Sequence, residues 1–454
     1  MKKIIVLVIT VLIGVILFFT LKTSSESTLS DIDISNLTEK DLSSYTITEE
    51  GKYEITGEVE STITIDVDGI VNLILNNASL KNIIVNKGKV LITLNGENHL
   101  DDNSALTDEI DGTIYSEDDI EFDGTGSLNI KSSKIGIHSK GNILIKEGEY
   151  TIESYLDGIF AKEVLQIENG TFLITSEKST ISETESMKGL KAKEEIIING
   201  GTFNIDVTDD SIHSNGKITI NNGEFTLNTK DDGLHADEVL TINDGIINIT
   251  KSYEGLESAE ININGGEINI SSSDDGINAS KGTEENMFQS DGSVLNITGG
   301  NITVNASGDG IDSNGDINMS GGTVIVYGPV SAGNGALDKN GTFKITGGTL
   351  LAGGSSGMAE MPSSGLNSVM INFSKNISNQ TIYIKSNGET ILEYTSPKVF
   401  NNLVLSSSKL ITNETYEVYI DDTFYTDIKI TNSSTTVGQR SNNTQNNRPF
   451  HSQN

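Results

Sequence analysis

Carboxylates recur in this chain at three fixed positions of one repeated phrase, which reads DDSIHS at 209, DDGLHA at 231, YEGLES at 253, DDGINA at 274 and GDGIDS at 308. The first position holds Asp209, Asp231 and Asp274. The second runs Asp157, Lys188, Asp210, Asp232, Glu254, Asp275, Asp309. The third runs Tyr115, His138, Phe160, Lys191, His213, His235, Glu257, Asn278, Asp312, Asp338, and so turns from mixed to acidic along the chain. If successive phrases stack, like charges about 4.8 Å apart repel by roughly 1 kcal/mol even in bulk water, and more against a low-dielectric wall. Such a ladder calls for a counter-charge. Oxygen donors without sulfur select Ca²⁺, Mg²⁺ or Mn²⁺, and several carboxylates with the carbonyls of turn glycines suit the six to eight ligands of calcium best. An isolated Asp-Gly is ordinary turn chemistry, and an acidic face can simply keep a β protein soluble. Recurrence at three positions favours metal. His213 and His235 beside the acids would also suit zinc, although surface histidines in a ladder are the commoner case.

The composition points the same way. Thirty basic against 64 acidic residues give a net charge of −34, so a nucleic acid is excluded as partner and a cation is favoured. There is no cysteine, hence no disulfide, thiolate site, cysteine nucleophile or lipid-modified cysteine. Tryptophan is absent, and the only arginines, Arg440 and Arg448, lie near the C-terminus, so the body offers no guanidinium fork for a carboxylate.

What positions these residues is a repeat. A glycine-rich turn flanked by strand-like sequence recurs about every 22 residues: GTGSL at 124, KEGEY at 146, ENGTF at 168, NGGTF at 199, NNGEF at 221, NDGII at 243, NGGEI at 264, TGGNI at 298, SGGTV at 320 and TGGTL at 346. In phase with it runs G-[I/L]-x-[A/S]. Because side chains alternate across a strand, Ile137, Ile159, Leu190, Ile212, Leu234, Leu256, Ile277 and Ile311 point inward and the x residues outward. Short strands, glycine turns and only four prolines predict an all-β, right-handed parallel β-helix, a solenoid of coils of about 22 residues spanning 45–352. Leucine-rich repeats would need more leucines and an asparagine, and propeller blades about 40 residues.

Outside the solenoid, Lys2 and Lys3 precede an uncharged run from Ile4 to Leu21, long enough to cross a membrane. Residues 1–22 therefore read as an export signal, an uncleaved anchor being favoured because no small-residue cleavage site follows; the remainder is expected outside the cell, with the membrane touched by this segment alone. A linker covers 23–44. Tyr45 to Leu100 reads as irregular first coils or a cap. Two insertions, 176–188 and 280–292, either wall a groove over the acidic face or are tolerated surface loops. Residues 353–366 read as a flexible loop, 367–431 as a small β module capping the open end, and 432–454 as a disordered tail. The whole is expected to be a monomer.

At DDGLHAD (231), DDGINAS (274) and the NGG turns, the sequence resembles a family of bacterial cell-surface proteins described as carbohydrate-binding domain-containing, with a fold similar to pectate-lyase-like polysaccharide lyases; the resemblance covers about 45 to 431. It implies calcium at the D-D-G turns and a partner polysaccharide, acidic or from plant cell walls, such as polygalacturonate or cellulose. By the same resemblance, Asp209 would group with Asp231 and Asp232, Asp231 with Glu254 and Glu257, and Asp274 with Asp309 and Asp312. His235 and Asn278 replace the last acid of two coils, and Tyr253 and Gly308 the first, so fewer complete sites than coils are expected. His213, His235, Tyr253, Asn278 and Lys191 are candidate sugar contacts. Two further classes stay open. A calcium-dependent lyase would need an unprotonated lysine, with Lys188, Lys191, Lys193, Lys230 and Lys251 the only candidates near the column; a structural adhesin or spacer would need no ligand.

Overall fold

A computed structural model describes residue 29 and residues 31–40, 45–102, 106–176, 184–282 and 289–440. The apolar segment 4–21, the tips of both insertions and the tail beyond 440 lie outside the described residues. No helix among the described residues is long and apolar enough to cross a membrane.

The repeat is a parallel β-solenoid. Each coil lays down three short strands, and each strand pairs in parallel with its counterpart one coil on. Ile212–Ser214 pairs with Leu190–Ala192 on one side and Leu234–Ile242 on the other, Lys217–Ile220 continues Glu195–Ile198, and Glu224–Asn228 continues Thr202–Asp206. Inward residues therefore meet their own kind, and Ile137, Ile159, Leu190, Ile212, Leu234, Leu256 and Ile277 are all fully buried. Ring residues do the same on the third wall: Tyr150, Phe172, Phe203 and Phe225 stack face to face at 4.9, 4.7 and 4.7 Å, within 6° of parallel. Burial of such apolar columns is what holds the coils together, at roughly 25 cal/mol per Å².

The turn glycines are required by the backbone. All ten, from Gly124 to Gly348, have φ between +78° and +134°, where other residues are strained. Beside this corner runs a chain of amides. Asn264 donates to Asn243, Asn243 to Asn221, Asn221 to Asn199, and Asn199 donates to both oxygens of Glu168. Asn199, Asn221 and Asn243 each donate to one coil and accept from the next, so the amides of this chain are matched.

The first coils join the same sheet and are irregular, as expected, with breaks of register at Thr56/Gly57 and on both sides of Asp66. Ile63–Leu80 runs through a whole coil as one strand and pairs in parallel with Gly51–Val59, Ile83–Asn95 and Glu97–Asp101. At the other end, Thr349–Gly354 pairs antiparallel with Phe400–Ser407, which pairs with Ser368–Ile377. A separate four-stranded sheet, 381–395 with 415–429, closes a second core around Phe373, Phe400 and Tyr416. The reversal of strand direction covers the open edge of the last coil. Two boundaries differ from expectation. Gly353 and Gly354 complete a solenoid strand and Ser364–Gly365 pairs with Lys344–Ile345, while Ser434–Val437 returns as a strand beside Ser368–Ile377. Short Gly/Ser-rich and Ser/Thr-rich pieces order there because a waiting edge supplies their hydrogen bonds.

Candidate metal and carbohydrate site

The acidic phrase occupies the corner between the third wall of one coil and the first wall of the next. In Ile246–Ser252, then Tyr253-Glu254-Gly255, then Leu256–Ile263, the two acid positions are the corner itself. The corners stack through their backbones: Tyr253 N–H donates to Asp231 O, Asp274 N–H to Tyr253 O, and Gly308 N–H to Asp274 O. Glycine after the acids is needed because a Cβ on Gly233 would come within 2.6 Å of Gly255 O on the next coil.

A side-chain rule, unseen in the sequence, sets the direction of the second column. One oxygen of each carboxylate accepts the N–H of its counterpart one coil on: Asp157 from Lys188 at 2.9 Å, Asp210 from Asp232 at 3.1 Å, Asp232 from Glu254 at 3.0 Å, Asp275 from Asp309 at 2.6 Å. The other oxygen then faces the third column, as where Asp210 Oδ2 lies 2.8 Å from His213 Nδ1 and Asp232 Oδ2 lies 3.3 Å from His235 Nδ1. The third column is in strict register from Tyr115 to Asp312, and the bridge of Ile311 to Leu337 brings Asp338 beside Asp312.

This rule regroups the acids. Asp209 and Asp231 converge with Asp210, while Glu257 converges with Asp232 and His235, not with Asp231. Asp312 has Asp275, Asp309 and Asp338 as its charged neighbours in place of Asp274. Asp274 acts on Asp309 and on Asp275, so the expected pairing of Asp274 with Asp309 is kept. Three groups bring one ligand atom per residue within 4.8 Å of each other: Asp209, Asp210 and Asp231; Asp210, His213 and His235; Asp232, His235 and Glu257. Residues here could hold a metal ion.

The ladder has two electrostatic regimes. Towards the N-terminus lysines neutralise part of it, although burial and then Asp210, Asp232 and Asp209 still push Asp231 up to about 7. Lys188 Nζ donates to Asp209 at 2.6 Å and to Asp210 at 2.5 Å, and Lys191 Nζ reaches Ser186 Oγ at 2.8 Å and Asp157 at 3.3 Å. Burial works against the charge on Lys188, but Asp210 and Asp209 outweigh it and hold its pKa above the usual lysine range. Burial opposes the charge of Asp210 as well, yet His213 and Lys188 keep its carboxyl far below the usual range. His235, desolvated but facing Asp232, Asp210 and Glu257, is pushed up to about 9.

Towards the C-terminus the cations thin out to Lys339, which acts on Asp338 from the end of the ladder while pairing with Glu360. Burial, reinforced by Glu257 and Asp232, pushes Glu254 up to about 9. Burial is again the first cause for Asp312, raised to about 8 with Asp275 and Asp338 adding, for Asp275, raised to about 7, and for Asp309, raised to about 6. Asp338 is raised too, by burial and then by Glu360. In their midst Asn278 donates Nδ2 to both oxygens of Glu254, at 3.2 and 3.0 Å, while its buried Oδ1 accepts nothing. An acceptor without a donor, among carboxylates short of counter-charge, fits a hard cation.

The remaining candidates separate. Tyr253 is 47% exposed, beside Asp274, which with burial raises its hydroxyl pKa. Lys191 is committed, its ammonium also lying 4.7 Å from the centre of the Phe160 ring. His213 is no surface residue: it is 7% exposed. Tyr115, His138 and Phe160, outward by alternation, are buried all the same, His138 stacking on Phe160 at 4.8 Å and meeting Asp111 at 2.5 Å. Asp111 precedes Gly112 of GTIYS, the copy of the phrase that carries Tyr115, one residue out of step with the later copies. A cavity of about 570 Å³ lies beyond the ladder's end, lined by Lys339, Met358, Glu360, Met370 and Arg440; Lys339 Nζ donates to Glu360 at 2.6 Å.

The model of a family described as carbohydrate-binding domain-containing protein matches residues 41–186, 175–233 and 232–435. The chain belongs to that family. No curated protein and no solved structure matches it. At the acidic corners Tyr253 is 47% exposed and Tyr155 36%.

Proposed function

We propose that this carbohydrate-binding domain protein works outside the cell, held at its surface by residues 1–22, and binds an acidic polysaccharide through calcium at the C-terminal half of the ladder. The observation that carries this reading is the set Glu254, Asp275, Asp309, Asp312 and Asp338, half-buried along successive corners with Lys339 the one cation acting on them, at Asp338, each raised in pKa by partial burial and by its neighbours. A calcium ion supplies the missing charge and leaves coordination positions for uronate and hydroxyl oxygens. Asn278 Oδ1 is a further ligand, and Tyr253 offers its ring to a sugar face. Asp274 and Glu257 flank this half.

The test is retention of the protein on immobilised polygalacturonate, with cellulose in parallel, in calcium and in chelator. Retention only in calcium, abolished by Asp312→Asn with Glu254→Gln, is the expected result; equal retention in chelator would refute it. Ultraviolet absorbance of an unsaturated product, followed in the same samples, separates binding from β-elimination.

A further inference from the structure

One rung of the ladder is chemically unlike the rest. His213 and His235 lie on adjacent coils, ring centres 4.8 Å apart and planes 75° from parallel, with three second- and third-column carboxylates around them. His213 is more than nine-tenths buried. Its Nδ1 lies 2.8 Å from Asp210 Oδ2 without the alignment of a hydrogen bond, and so remains a buried polar atom with no hydrogen-bond partner, aimed into the cluster. His235 Nδ1 faces the same cluster, 3.7 Å from Asp210 Oδ2 and 3.3 Å from both Asp232 Oδ2 and Glu257 Oε2.

From this we infer a second, separate metal site of transition-ion type, with Zn²⁺ as its natural occupant, in which His213 Nδ1, His235 Nδ1 and Asp210 Oδ2 are the protein ligands. The distances suit it. Bonds of about 2.0 Å in a tetrahedron place ligand atoms roughly 3.3 Å apart; Asp210 Oδ2 lies 2.8 Å from His213 Nδ1 and 3.7 Å from His235 Nδ1, and one ligand atom from each of the three residues lies within 4.8 Å of the others before any ion draws them in. Imidazole nitrogen is a poor ligand for calcium and a good one for zinc, so the two halves of one ladder sort two kinds of cation. The outer shell is present as well: Asp237 Oδ1 lies 3.6 Å from His235 Nε2, on the ring nitrogen that a metal at Nδ1 leaves free to donate. Lys188 is the competitor. Its ammonium shares Asp210 Oδ2 with His213, and on metal binding it retains Asp209.

The experiment is a titration of the metal-stripped full chain, in mild detergent, with Zn²⁺ in a background of millimolar Ca²⁺, and with Co²⁺ as a visible-absorbing probe. Expected are one Zn²⁺ per chain, tetrahedral Co²⁺ bands, and a loss of Zn²⁺ affinity of at least about 100-fold in His213→Gln and in His235→Gln, since losing even an outer-shell partner costs 10- to 100-fold. Lys188→Met tightens Zn²⁺ binding by freeing Asp210, and keeps the test decisive if a histidine variant does not fold. Asp312→Asn with Glu254→Gln leaves Zn²⁺ binding intact while removing calcium-dependent retention, so the two sites fail independently. Displacement of Zn²⁺ by Ca²⁺, or Zn²⁺ binding indifferent to both histidines and to Lys188, would overturn the inference.

Discussion

At the residue scale, the acids of the C-terminal half make stability depend on pH in an unusual direction. Asp312, ordinarily near 3.8, is raised to about 8 in the fold, and Glu254, ordinarily near 4.5, to about 9. A raised carboxyl binds its proton more tightly folded than unfolded, so its contribution is complete below about pH 4 and is lost as pH rises towards 8 or 9. The metal-free protein is therefore expected to melt several degrees higher at pH 5 than at pH 8, and calcium to remove most of that difference; calorimetry with and without chelator measures it. Asp312→Asn raises the melting temperature of the metal-free protein at pH 8 and blunts its response to calcium. A melting temperature that does not change between pH 5 and 8 in chelator would contradict the charge arrangement. The columns themselves were legible in the sequence because the period carries them. Their grouping was not, because it depends on which oxygen of Asp210, Asp232 and Asp275 the next coil's N–H takes, and nothing in a phrase such as DDG states that.

At the element scale, the ring stack is where a single substitution should tell most. Phe203 is held between Phe172 and Phe225 at 4.7 Å on each side, so Phe203→Ala empties a layer that no neighbour can refill and is expected to cost about 3–5 kcal/mol in chemical denaturation. Asn221→Ala breaks two links of the amide chain, the bonds to Asn199 and from Asn243. A loss near 2 kcal/mol is expected for it, at about 1 kcal/mol per bond. Gly-turns at fixed spacing and alternating Ile/Leu made these strands readable in advance. The opening coils were less readable because Ile63–Leu80 runs on as one long strand with no glycine break of the repeat's kind, and its register is fixed by the strands on either side.

At the scale of the whole molecule, the cap and the charge oppose each other. A net charge of −34 keeps chains apart, while the last coil offers an edge that Phe400–Ser407 covers in reverse direction. Ending the chain before residue 367 uncovers that edge and the apolar floor of the second core. Light scattering should then show salt-dependent aggregation, strongest above physiological ionic strength, where repulsion is screened within about 8 Å. A truncated chain that stays monomeric in high salt would show that the cap has some other task. The strict register has a consequence of a different kind. Thr202 pairs with Glu224 and His213 with His235, each 22 residues on, so the span 202–223 can be cut out and the ends rejoined in phase. Such an excision shortens the rod by one storey, about 4.8 Å. It removes Asp209, Asp210 and His213 and leaves Glu254 to Asp338 untouched. Length and ion preference are thus modular quantities in this protein, open to recombination coil by coil without redesigning the fold.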